Sequence, residues 1–130
     1  MNLVSVITEA ITGLVVLLVS VQAGYSTHET IHYRATRRWT NTQRLKFRFI
    51  TPTFTNFDPS KVPNKGIQLS AIAPTLLFVP VLIFLLITVG LPPLLNMELQ
   101  DYAHLGFFLT LTLAAWPSRG DIRALINPEQ

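Results

Sequence analysis

Hydrophobic positions fall into three long blocks separated by polar stretches of different character. The first runs from Leu3 to about Gly24 with Glu9 as its only charge, and residues 10–27 carry none. Such a run approaches the length that crosses about 30 Å of hydrocarbon as a helix. The second is uncharged from Gly66 to Met97, with its firmest part between Ile72 and Leu91. Pro80, inside it, predicts a kink, because it removes a backbone donor and crowds the preceding turn. The third, Tyr102 to Trp116, is shorter and contains His104, Thr110 and Thr112. It suffices for a crossing only with help from packing or flanking residues. Between the first two blocks, residues 45–50 alternate apolar and basic, Thr51-Pro52 can turn the chain, and residues 53–57 read as a second, shorter strand. The pattern predicts an all-α integral membrane protein in a single domain, 1–130. Its three transmembrane helices lie over about 3–33, 71–95 and 102–117, and a small β-hairpin is inserted in the basic loop 34–66.

Composition changes this picture little. The chain has 130 residues, 49% hydrophobic and 13% charged, where ordinary globular domains carry about 25% charged. It has no cysteine, which excludes a disulfide framework, thiolate metal ligands and a cysteine nucleophile. A net charge of +3 could suit nucleic acid, but eight of the ten Lys and Arg residues fall between Arg34 and Lys65. That clustering favours a cytoplasmic, lipid-facing loop, with Trp39 as an interfacial anchor, over a nucleic-acid partner. A secretory signal fits poorly, since no Lys or Arg precedes the first apolar run. Residues 98–101 carry acid but no base, which places them outside. The expected location is the cell membrane, with the amino terminus outside and the carboxyl terminus, bearing Arg119 and Arg123, in the cytoplasm.

Candidate chemistry sits where the first block ends. Residues 27–33 read Thr-His-Glu-Thr-Ile-His-Tyr and contain the H-E-x-x-H pattern. On a helix, His28 and His32 lie about 40° apart around the axis and one turn apart along it, so both imidazoles can reach one zinc ion. Glu29 is near enough to act as general base without being a ligand. The competing reading is a helix end at the membrane–water boundary, where His and Glu are simply solvated. A catalytic zinc usually takes three protein ligands, and Asp121 is the best third on topology. It follows a helix that returns to the level of the motif, whereas Glu98, Asp101 and His104 lie near the opposite face. Asp121 could instead be an ordinary cap on a short helix, or serve as cap and ligand through different oxygens.

These residues carry a family resemblance. A His-Glu-x-x-His-Tyr helix end followed by basic and aromatic residues resembles the intramembrane site-2-type zinc metalloproteases, and above all their small, reduced relatives. Residues 65–77 are similar to the stretch that opens the second core helix in that family, residues 52–63 to its hairpin insert, and Arg119-Gly120-Asp121 to its later Gly-Asp element. Between the two histidines this chain has Thr30-Ile31, where the family commonly has a small residue before the second histidine.

The resemblance implies a membrane zinc peptidase in which His28, His32 and Asp121 hold Zn2+ and Glu29 is the base. Its substrate would be a peptide bond in or near a membrane segment of another protein. The expected partners are membrane lipids and that substrate, and an oligomer is compatible with the pattern. Two other classes fit the apolar blocks. One is a non-catalytic scaffold or small subunit of a membrane complex. The other is a holin-like membrane-perturbing peptide, which needs no metal.

Overall fold

The computed structural model describes residues 2–41, 43–46, 53–55, 58–93 and 97–129. In chain order its elements are α1 (Leu3–Thr36), β1 (Arg44–Lys46), β2 (Thr53–Thr55), a single 3-10 turn (Pro59–Lys61), α2 (Asn64–Thr88), α3 (Leu99–Ala115) and α4 (Arg119–Ile126). Asn2 caps α1 by accepting from the Ser5 amide at 2.8 Å, and Arg34 lies in the last turn, where a cation complements the helix dipole. At 34 residues α1 is about 50 Å long, more than a bilayer core is thick.

Among the described residues, two helices are long and apolar enough to cross a membrane, α1 and α2. This corrects the expectation of three spans. Helix α3 has 17 residues and opens with Gln100, Asp101 and His104, so a segment too short for a straight crossing stands where a third span was predicted. The boundaries shift as well. Helix α2 occupies 64–88 and not 71–95, because Pro63 supplies the start and Gly90, with φ of +77°, closes the end. An apolar run marks what can be buried in lipid, and the turn residues decide where the helix stops. Both Pro74 and Pro80 are accommodated inside α2.

The β-hairpin insert is the second correction. The architecture is helical, and the extended pairing among the described residues is a three-residue antiparallel ladder with Arg44 opposite Thr55 and Lys46 opposite Thr53. A ladder so short, without a third strand, adds no sheet to the fold. Phe47, Arg48, Phe49 and Phe57, on which the rest of the hairpin expectation rested, lie outside the described residues. The Trp39 ring packs where a Cβ on Gly66 would stand, 2.9 Å away, and the Arg38 guanidinium lies 3.7 Å over it.

The helices meet along one seam. The buried residues of α1 are Ser20, Gly24, His28, His32 and Thr36, one every four residues. This i, i+4 row forms a single face. Its upper part receives α3, which runs parallel to α1. Gly13 faces Tyr102, Ser20 Oγ donates to the Gly106 carbonyl at 3.0 Å, and Gly24 lies against Leu113 and the Thr110 carbonyl. A Cβ on Gly24 would come within 2.6 Å of Leu113 Cβ. Small residues at both positions let the two backbones approach, which is how helices pack when lipid removes the hydrophobic incentive. The lower part of the row receives α2, whose Ser70 reaches His32, and then α4.

Candidate metal centre

Three side chains converge where the four helices meet. His28 Nε2 is 2.8 Å from His32 Nε2. Asp121 Oδ2 is 3.1 Å from His28 Nε2, and Asp121 Oδ1 is 3.1 Å from His32 Nε2. His28 and His32 are only 3% and 8% exposed, which rules out the solvated helix end considered as the alternative.

The other ring nitrogens decide the chemistry. His28 Nδ1 is 2.9 Å from the Ala114 carbonyl, and His32 Nδ1 is 2.8 Å from the Ser70 carbonyl. A carbonyl oxygen can only accept, so each Nδ1 carries the proton and donates it. In the neutral rings both Nε2 atoms are therefore lone-pair acceptors, and a carboxylate is an acceptor too. Three acceptors within about 3 Å of one another repel unless a cation lies among them. That cation is either an added proton on one imidazole or a metal ion shared by all three.

Both carbonyls are free for local reasons. Ser70 would normally accept from the amide four residues on, but that residue is Pro74, which has no N–H. Pro74 is fully buried beside the site. Ala114 lies in the last turn of α3, where carbonyls lose their helical partners. The amide that would have served it, Ser118 N, donates instead to Asp121 Oδ2 at 2.7 Å. The neighbouring Ala115 carbonyl accepts from Thr75 Oγ1 at 2.7 Å. A proline and a helix end thus supply the two acceptors that fix the imidazole tautomers, and such partners orient metal-binding histidines.

Asp121 arrives on α4 through a capping box. Ser118 Oγ accepts from the Asp121 amide at 3.1 Å while Asp121 Oδ2 accepts from the Ser118 amide. Cap and site are not divided between its two oxygens, because Oδ2 serves the cap and also faces His28. Burial pushes the Asp121 carboxyl up, but the hydrogen bonds it accepts from His28 and His32 when a ring carries an added proton, and from the Ser118 amide, outweigh burial and hold it below the usual carboxylate range. The side chain stays an anion.

The donor set fits a zinc ion. Tetrahedral coordination at about 2.1 Å places ligand atoms about 3.4 Å apart, a slight opening of the distances seen. Two neutral imidazoles and one carboxylate form a common catalytic zinc set that leaves a position open. His32 and Asp121 open onto a cavity of about 260 Å³, lined also by Glu29, Ser70, Thr36 and Ala124. Glu29 therefore shares the open side with the triad.

The remaining polar residues lie elsewhere. Glu98 and Asp101 cap the start of α3, with the Glu98 amide donating to Asp101 Oδ2 at 2.8 Å. His104 packs against Phe108 with ring centroids 5.1 Å apart. Its position is ten residues, or about 15 Å, from the Ala114 end of α3. Asp58 caps the 3-10 turn through Ser60. Sequence reasoning missed the carbonyls of Ser70 and Ala114 and the buried pair Thr36 and Gln43. Gln43 Nε2 donates to Thr36 Oγ1 and to the Tyr33 carbonyl, both at 2.9 Å, tying the loop to the end of α1. The available signals were the four-residue spacing from Ser20 to Thr36 and a proline four residues after Ser70. No family model matches the chain, and neither a curated protein nor a solved structure matches it.

Proposed function

We propose that the chain is a membrane zinc peptidase, similar in kind to the site-2-type metalloproteases, that hydrolyses peptide bonds in or near membrane segments of other proteins. The observation that carries this is the convergence of His28 Nε2, His32 Nε2 and the Asp121 carboxyl oxygens within about 3 Å, beside a cavity that Glu29 also lines. Helices α1 and α2 cross the cell membrane with the amino terminus outside. The basic stretch after α1 stays in the cytoplasm, and α3, packed parallel to α1, leads Asp121 back to the level of His28 and His32.

His28, His32 and Asp121 hold the ion, with the two Nδ1–H groups fixing the rings. When bound, zinc supplies Lewis acidity, polarising the scissile carbonyl and acidifying water. Glu29 accepts the proton from the attacking water as the new C–O bond forms. It then delivers that proton to the amine nitrogen as the C–N bond breaks. The apolar wall of the cavity, Ile67, Ala71 and Ala124, suits an unwound apolar stretch of substrate.

The test is Glu29→Gln in a chain reconstituted with reporter substrates that each contain one transmembrane helix. The amide keeps size and hydrogen bonding but cannot take up the proton. Zinc content is expected to stay unchanged while cleavage falls about 10²- to 10⁴-fold. Cleavage at the wild-type rate would remove Glu29 as the base. Zinc binding without cleavage across the panel would favour a metal-stabilised scaffold.

A further inference from the structure

Helix α4 brings an acid to the candidate metal centre on a short element of its own. It is eight residues long and none of its residues is buried. Helices shorter than about 12–15 residues are marginal on their own. It packs along α2, with Ala124 lining the cavity opposite Ile67 and Ala71, and among the described residues its polar ties are three. Gln68 Nε2 donates to the Leu125 carbonyl at 2.9 Å, Asn64 Nδ2 reaches Glu129 Oε1 at 3.3 Å, and Asp121 faces the two histidines.

What α4 turns outward is ordered. At about 100° per residue, Leu125, Ile122 and Ile126 form one continuous stripe, and Arg119 and Arg123 follow in the next sector. Ile126 is 76% exposed, Ile122 and Leu125 are exposed too, and Trp116 just before the helix is 71% exposed. Neither arginine makes an ion pair among the described residues. An aliphatic stripe beside a basic edge, with a tryptophan at the entry, is the pattern of a helix lying in a lipid headgroup boundary.

The level of α4 agrees with that. At the start of α2 and just before it, residues 61 and 63–65 are exposed and include two lysines, whereas Leu69 begins the exposed apolar series that continues through Leu76, Leu77, Val81 and Phe84. Gln68, which holds the Leu125 carbonyl, directly precedes Leu69. Helix α4 is therefore pinned where the wet part of α2 gives way to its apolar belt.

We infer that α4 is a membrane-surface helix whose seating on an anionic lipid boundary holds Asp121 in place, so that tight metal binding at His28, His32 and Asp121 depends on the lipid. The coupling rests on the zinc reading proposed above, whereas the seating does not.

The chain has no cysteine, so Ile126→Cys in the otherwise unchanged full chain accepts a single bimane label. In nanodiscs of phosphatidylcholine with phosphatidylglycerol, the label is expected to be quenched by doxyl-labelled lipid and shielded from iodide. Zinc affinity, read by chelator competition, is expected to weaken about 10-fold or more in Ile122→Ser/Ile126→Ser, the scale on which disturbed support of a ligand acts. Affinity is also expected to be weaker in phosphatidylcholine alone, and Arg119→Gln/Arg123→Gln should abolish that lipid difference. Quenching by iodide overturns the seating, and so does shielding from both quenchers, which indicates a protein cover. A label in lipid with zinc affinity unchanged by the serine pair overturns the coupling. A wild type that binds no zinc removes the metal reading and the coupling with it, while the label still decides the seating. Because the label reports on a chain with both hydrophobic helices intact, misfolding of the serine pair cannot mimic its result.

Discussion

From Leu3 to Val19, α1 turns most of its aliphatic side chains outward, meets α3 only through half-buried positions such as Gly13 and Val16, and buries no residue, whereas from Ser20 to Thr36 every fourth residue is buried and all five are small or polar. One helix thus follows two rules. In the amino-terminal half the exposed aliphatic surface is what a helix long and apolar enough to cross a membrane can carry. In the carboxyl-terminal half contact is made by removing side chains, at Gly24 and Gly106, and by hydrogen bonds from Ser20, His28, His32 and Thr36 to backbone carbonyls. Among the described residues no buried side-chain nitrogen or oxygen lacks a polar neighbour. The difference teaches that shape and polarity, more than hydrophobicity, are specified where chemistry is placed.

If that contrast is real, substitutions in the two halves should differ steeply. The largest effect is expected from Gly24→Leu. The first added carbon already meets Leu113 Cβ at 2.6 Å and the Thr110 carbonyl at 3.0 Å, and the second is backbone that cannot swing aside. Overpacking of this kind costs about 1–3 kcal/mol, and forcing α1 from α3 also draws Ala114 away from His28. Thermal unfolding in detergent is expected to show a lower midpoint together with reduced zinc content. An unchanged midpoint would mean that the two helices are not in close contact.

Pro74→Ala is the sharper probe of intermediate size. It restores the amide that competes for the Ser70 carbonyl, loosening the hold on His32 Nδ1. Losing such a partner typically weakens metal binding by about 10- to 100-fold, and the lower end is expected here because a carbonyl can accept twice. Chelator competition measures the affinity, and the visible spectrum of the cobalt-substituted protein reports the ligand geometry. Unaltered affinity and spectrum would leave Pro74 as a packing residue only.

The smallest effect is expected from Leu18→Ala, in the exposed half, within about 0.5 kcal/mol by the same unfolding measurement. A loss as large as that of Gly24→Leu would show that this face meets a protein partner and would erase the contrast.

What could be read from the sequence divides along the same line. His28, Glu29 and His32 were legible because their geometry is local: helical spacing alone puts two imidazoles on one face. Asp121 was legible through chain direction, since only a segment running parallel to α1 brings it to the same level. The carbonyls of Ser70 and Ala114 were not, because every residue has a carbonyl and only the packed structure shows which ones lose their amide. The third span and the hairpin were misjudged for a related reason. Hydropathy and alternation mark what a segment tolerates, while Pro63, Gly90 and the caps at Glu98 and Ser118 decide where elements begin and end.

The central claim is that three acceptors meet around a metal ion. Its most direct test is the zinc content of detergent-purified wild type beside Asp121→Ala, measured by elemental analysis after dialysis against a weak chelator. About one zinc per chain is expected for the wild type, as a three-ligand site would hold, with most of it lost in the variant. Equal zinc in the two proteins, or none in the wild type, would contradict the account.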